Sequence, residues 1–361
     1  MFASFTTQAR CLYYLTVNLN LLKLVRMLPF FSTFISGLGE LVGRWLQEDL
    51  LNVKIDALSD GLVIFETGTS SHDVGKIRYL NNCFVLISKY GSTQLITDVS
   101  AAVGFLLRDK GIGGKLRQLG AIKGGSFKVI FSSENRTVSV DRDLLARLER
   151  LISGETGLRP VRFGAGREFW LITRHDGIVL FGLRITPLKK KTEEGELRLE
   201  LANILCHLSG PGKSDVFLDP FCGSGSIFLE RISSFPYKMA FAFDNNVEKI
   251  KILEKKVSWT KEKIKIRVGN ALGLFDIEAG SVDKIITDPP WGHFQAVEDV
   301  DEFYRRMAKE FSRVLKSGGI AVILVAREIE LDRFISEFKL LEKYQILVSG
   351  KKASIFKFLR A

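Results

Sequence analysis

Apolar residues recur along this chain at two periods: every second position in short runs, every third or fourth in longer ones. Leu28-Pro29-Phe30-Phe31 reads as a strand, and Gly37 to Leu50 as an amphipathic helix. Val53 to Ile55 and Gly61 to Phe65 read as strands around a turn at Ser59-Asp60-Gly61, and Lys76 to Leu80 with Cys83 to Ser88 extend the pattern. A second α+β module begins near Thr97. Val99 to Arg108 and Leu144 to Ile152 read as helices and Phe127 to Phe131 as a strand. Glu168 to Ile172 and Ile178 to Leu183 pair around His175-Asp176-Gly177.

The pattern changes after Thr186-Pro187-Leu188-Lys189-Lys190-Lys191, a charged connector where the domain boundary is placed. Beyond it strands (Asp215 to Leu218, Met239 to Phe243, Ile264 to Val268, Val282 to Thr287, Gly319 to Ala326) alternate with helical stretches. That alternation predicts a mainly parallel, doubly wound α/β sheet. Tyr344 to Val348 and Ser354 to Leu359 read as a hairpin closing it.

The 361 residues have room for two or three domains, and a 46% hydrophobic content is ample for packed cores. A formal net charge of +11 favours a polyanionic partner, nucleic acid before membrane. Arg108, Lys110, Lys115, Arg117, Lys123 and Lys128 form the densest basic stretch, glycine-bearing and opposed only by Asp109, and are the candidate phosphate contacts. The four cysteines (Cys11, Cys83, Cys206, Cys222) and the four histidines are scattered, which argues against a zinc site or disulfide framework and fits a reducing cytoplasm. The apolar run Cys11 to Val25 is broken by Asn18, Asn20 and Lys23, too short and polar to span a bilayer. Residues 1–26 read as an N-terminal extension whose role is open.

Candidate chemistry concentrates at strand ends of the last domain. Asp219-Pro220-Phe221-Cys222-Gly223-Ser224-Gly225 follows its first strand and opens a helix at Ile227; glycines there let a ligand approach the backbone and the helix N-terminus. The spacing is neither Gly-x-Gly-x-x-Gly nor a P-loop. Asp244, with Asn245 after it, ends the second strand, where an acid accepts hydrogen bonds from ribose hydroxyls. Asn270-Ala271 follows the third, beside where an adenine ring would lie. Asp288-Pro289-Pro290-Trp291 ends the fourth: two prolines stop the ladder and present a carboxylate, rigid carbonyls and an indole, a set suited to a planar base and its exocyclic amine.

Together these four elements resemble the class I S-adenosylmethionine-dependent methyltransferases that act on exocyclic amines of bases. Ser126-Phe127-Lys128-Val129, Glu168 to Ile172 and Phe181-Gly182-Leu183-Arg184 are similar to the RNA-binding THUMP domain of tRNA guanine-N2 methyltransferases. The resemblance implies a ferredoxin-like module over 27–95, a THUMP-like domain over 96–186 and a Rossmann-like methyltransferase domain with a seven-stranded, mainly parallel sheet over 187–361. It implies methylation of N2 of a guanosine in tRNA, or action on other structured RNA; the scattered cysteines and histidines and the interrupted apolar run give a cytoplasmic protein without metal or membrane, read as a monomer. S-adenosylmethionine would be held by Asp219, Pro220, Phe221, Gly223, Ser224, Gly225, Asp244, Asn245, Asn270 and Ala271. Asp288, Pro289, Pro290 and Trp291 would act on the base. The family more often has an acid at the position of Asn270 and Tyr or Phe at that of Trp291. Adenine-N6 or another exocyclic amine of rRNA or DNA is the alternative substrate, and a catalytically inactive RNA-binding protein the alternative class.

Overall fold

The computed structural model describes residues 27–91, 98–119, 125–187, 196–257, 263–291, 299–333, 336–348 and 350–361. The extension over 1–26, Lys123, most of the lysine connector and Gly292 lie outside them. The chain divides into two units: the described residues up to Thr33 with Gly43–Ile77 and Asn82–Pro187, and Phe34–Val42 with Arg78–Asn81 and the described residues of Leu188–Ala361.

The first unit is built on β1 (Leu28–Thr33), β2 (Lys54–Ser59), β3 (Leu62–Thr67), β4 (Asn82–Tyr90), β5 (Ser126–Ser133), β6 (Arg136–Val138), β7 (Arg159–Pro160), β8 (Arg167–Thr173) and β9 (Val179–Arg184). Their order is β2-β3-β1-β4-β9-β8-β5-β6, with β7 beside β5. Because β9 returns to pair with β4 (Val85 opposite Leu183), the two upstream modules share one sheet. Its helices are α1 (Gly39–Asp49, begun in the segment counted with the second unit), α2 (Ser71–Val74), α3 (Val99–Arg108), α4 (Ile112–Gln118) and α5 (Arg142–Thr156). Apolar residues of α3, α4 and α5, among them Val103, Leu116 and Leu148, bury against Phe127, Phe169 and Phe181.

The other face buries Phe31, Leu62, Ile64, Phe84 and Leu180, with Trp170 packed against them. In a flat sheet β3 and β8, four strand spacings apart, would be separated by about 19 Å. Yet Arg174, just past β8, donates to the Asp60 carbonyl in the β2–β3 turn at 3.2 Å, so the sheet curls around this cluster. Gly182 sits at the tight point: a Cβ there would lie 2.5 Å from the Phe31 ring and 2.7 Å from the Val85 carbonyl oxygen.

One expectation fails here. Lys76 to Leu80 is no strand: Ser70 caps α2, Gly75 closes it, and turns lead to β4. Tyr79 and Leu80 are apolar and buried without a ladder. Within the basic stretch α4 forms, an element not read from the sequence, because Ile112 and Leu116 have a core to enter.

The second unit carries α6 (Leu199–Leu208), β10 (Val216–Asp219), α7 (Ser226–Ser234), β11 (Met239–Asp244), α8 (Val247–Lys256), β12 (Ile264–Val268), β13 (Val282–Thr287), α9 (Val300–Val314), β14 (Leu315–Ala326), β15 (Phe338–Val348) and β16 (Lys351–Arg360). Strand order is β12-β11-β10-β13-β14-β16-β15. β10 to β14 run parallel, and the final hairpin is antiparallel, extending six residues further back than its apolar tail suggests. After β10 the chain builds outward through β11 and β12, then returns to place β13 on β10's other flank. The carboxyl ends of β10 and β13 therefore form the crevice where ligands bind in open α/β sheets.

Candidate active site

β10 ends at Asp219, which is 1% exposed. Its Oδ1 accepts from the Thr287 hydroxyl at 2.8 Å and from the Phe221 amide at 3.4 Å. Burial, reinforced by Asp244 and Asp288, pushes its carboxyl up to about 8 even though Thr287 and Phe221 favour the ion. The acid thus ties β10 to the end of β13 and is not presented to a ligand directly. Thr287 carries that tie, and nothing in the sequence pattern singled it out.

Gly223 and Gly225 adopt φ of 53° and 99°, turning the chain into α7. A Cβ on Gly223 would meet nothing within 4 Å, whereas one on Gly225 would lie 2.4 Å from Leu253 of α8. The first glycine leaves open space for a ligand and the second lets the helices close. Gly225, the N-cap of α7, supplies no side-chain cap to the helix. Ser224 donates to Glu196 at 3.0 Å, and Lys256 pairs with that glutamate at 3.1 Å, while Ser226 accepts from the Leu197 amide. Glu196 went unnoticed in the sequence because it belongs to no motif.

Asp244 is half-buried and exposed Asn245 follows it. One oxygen accepts from the Gly223 amide at 2.8 Å, the other from Asn246 at 2.9 Å. The carboxylate is thereby aimed along the glycine turn, and each oxygen keeps a lone pair for a hydroxyl. Asn246, not expected, caps α8. Asn270 spends its Oδ1 on the Leu272 amide, so its side chain shapes the turn, with Ala271 buried beneath. Phe221 packs on Phe303 of α9 with ring centroids 5.8 Å apart.

At the end of β13, Pro289 is buried and Asp288, Pro290 and Trp291 are half-buried. Trp291 Nε1–H donates to Asp288 Oδ1 at 2.8 Å, and Tyr304 of α9 donates to the Pro290 carbonyl at 2.9 Å. Burial lifts the Asp288 carboxyl to about 7 against the pull of Trp291 and Lys249. The group is therefore poised to exchange a proton near neutrality. The residues at β10, β11, β12 and β13 converge on one end of the sheet, with open backbone at Gly223, an acid at Asp244 and a base-like acid at Asp288.

The basic residues belong to the first unit. Arg108 and Lys110 are exposed. Lys115 donates to Ser88 at 3.1 Å, Arg117 pairs with Glu155, and half-buried Lys128 pairs with Glu168 at 3.0 Å. Burial opposes ionisation of Glu168, but donors on Trp170, Lys128 and Arg184 outweigh it and hold the carboxyl low. Three of the described candidate cations are thus engaged within the fold. Among the described residues no cluster of three His, Cys, Asp or Glu is placed to hold a metal ion, and no helix is long and apolar enough to cross a membrane.

A mainly parallel sheet with a glycine turn after its first strand and an acid after its second is the frame of a nucleotide-type cofactor site, and the comparisons with known proteins place it among the class I methyltransferases. Residues 188–353 match the family model described as an RMKL-like methyltransferase domain. A Methanothermococcus thermolithotrophicus protein named "Probable tRNA (guanine(10)-N2)-dimethyltransferase" is 30% identical over 155 residues, 41% of this chain and 90% of that protein. The chain belongs to this methyltransferase family. A Bos taurus protein named tRNA (guanine(6)-N(2))-methyltransferase THUMP3 is 30% identical over 174 residues, 43% of this chain. The match spans only 34% of the bovine protein's length. TrmN from Thermus thermophilus superposes over 93% of this chain and all of its own with a TM-score of 0.68 at 18% identity, a likeness of fold.

Proposed function

We propose that this chain transfers a methyl group from S-adenosylmethionine to the exocyclic N2 amine of a guanosine in tRNA. The observation that carries the chemistry is Asp288-Pro289-Pro290-Trp291 at the end of β13, beside the glycine turn of β10. The guanine-N2 names of the relatives support the choice of atom.

S-adenosylmethionine, when bound, supplies a sulfonium methyl that is already electrophilic. The residues present fit it. Gly223 leaves an open approach, the α7 N-terminus has no side-chain cap, and Asp244 is aimed to accept ribose hydroxyls. Ser224, Gly225, Asn245 and Asn270-Ala271 complete the turns around it, and buried Asp219 with Pro220 and Phe221 holds their shape. Asp288 and the Pro289 carbonyl accept the hydrogens of the incoming amine. An aryl amine is a weak nucleophile because its lone pair is delocalised into the ring, and accepting its hydrogens favours the pyramidal form. The new N–C bond forms as the C–S bond breaks, and the amine's spare proton leaves to Asp288 or to water. Trp291 stacks on the base once it is taken out of its helix.

The curled sheet of the first unit serves as the ferredoxin-like (27–95) and THUMP-like (96–186) RNA-binding part, with Arg108 and Lys110 as its exposed phosphate contacts. The protein works as a monomer in the cytoplasm in this reading. The test is transfer of labelled methyl from S-adenosylmethionine to unmodified bulk tRNA, followed by nucleoside analysis. N2-methylguanosine is the expected product. Label in N6-methyladenosine would overturn the substrate, and no label in tRNA, ribosomal RNA or DNA would overturn the activity.

A further inference from the structure

A stacking platform needs only the face of its ring, and phenylalanine or tyrosine serves as well as tryptophan. Here the ring edge is engaged: Trp291 Nε1–H lies 2.8 Å from Asp288 Oδ1. A phenyl ring has no such donor, and a tyrosine hydroxyl projects from the far end of its ring. The backbone between the two residues is Pro289-Pro290, which fixes φ twice, and Tyr304 pins the Pro290 carbonyl. The separation of carboxylate and indole is therefore built into the loop.

We propose that Trp291 is a positioning residue for Asp288: its indole N–H holds one carboxylate oxygen so that the other is presented to the amine that is methylated. This rests on the methyl-transfer reading above. Asp288 is faced by Lys249 from α8, by Asp219 from β10 and by Tyr304 from α9. Burial raises its carboxyl to about 7, and the indole bond is the largest pull in the other direction. A donor to the ion stabilises it, so losing the bond moves the pKa further up, and the carboxylate is then present only at higher pH.

Trp291→Phe keeps the aromatic face and removes the donor. In the full chain, with S-adenosylmethionine and the RNA the wild type methylates, the acid limb of kcat moves up by about one pH unit. That is a roughly tenfold loss near pH 6 and little loss near pH 9, with KM for RNA nearly unchanged. Limbs that superimpose, or a loss confined to KM, would overturn the proposal. A second readout needs no activity. The sequence has four tryptophans, so the Trp291 indole N–H resonance can be assigned by its absence from the Trp291→Phe spectrum. It should shift with an inflection near pH 7 that Asp288→Asn removes, whereas a flat shift from pH 5 to 9 sinks the contact. A wild type that methylates no nucleic acid refutes the functional reading and the presentation of an amine with it, whereas a flat indole titration in an active enzyme refutes the Trp291–Asp288 bond alone.

Discussion

At Asp219 burial and charge conflict. Between about pH 4 and 8 it is protonated in the folded chain and ionised in the unfolded one, given its rise to about 8. Folding then takes up a proton, so stability falls as pH rises across that window, by at most about 1.4 kcal/mol per unit from this group. Asn keeps an acceptor for the Thr287 hydroxyl and carries no charge. Asp219→Asn should accordingly lose less stability than wild type between pH 5.5 and 8 in urea unfolding. Parallel curves would mean that the acid ionises without penalty. That this residue would be an acid was plain from the Asp-Pro-Phe-Cys-Gly pattern; that it serves the fold, through Thr287 68 residues away, was not. Contacts at such separation leave no periodic trace.

At the scale of elements, the β10–α7 turn depends on two glycines with opposite surroundings. Gly225→Ala places a Cβ at φ 99° and 2.4 Å from Leu253, which is fully buried. The strain is about 1–3 kcal/mol, and the Leu253 side chain must move or α7 and α8 part to relieve the contact. A lower melting temperature, by several degrees, and weaker binding of S-adenosylmethionine are expected from calorimetry and titration. An alanine variant with wild-type stability would show that the turn relaxes freely. Strands around the site were legible because each is a short apolar run ended by Asp, Gly or Pro. Two elements were not. α4 contains Gly113 and Gly114, poor helix formers, and folds because Ile112 and Leu116 find a core. Lys76 to Leu80 resembles a strand in pattern, but tertiary packing buries Tyr79 and Leu80 in a bend instead.

For the whole molecule, the +11 charge says that a polyanion is favoured but not which cations meet it. Lys115 and Arg117, although exposed, are held by Ser88 and Glu155, and half-buried Lys128 by Glu168, while exposed Arg108 and Lys110 form no ion pair among the described residues. Arg108→Ala with Lys110→Ala should weaken tRNA binding and lower the slope of log affinity against log salt by about one for each phosphate left without its cation. Arg117→Ala should change that slope less and chiefly disturb the α4–α5 packing through Glu155. Equal slope changes for both variants, measured by filter binding across a salt series, would refute this division.

What the chain alone determined is the series of short strands with their turn chemistry: where each strand stops, which acid or glycine follows, and hence the class of ligand at that end. These are local properties, set by backbone geometry within a few residues. Tertiary structure alone decided which of those groups remain available. It buried Asp219 under Thr287, gave one oxygen of Asp288 to Trp291, spent three lysines and arginines on partners within the fold, and curled two modules into one sheet. Each of those outcomes depends on atoms brought together from distant positions, where burial and hydrogen bonding compete at close range.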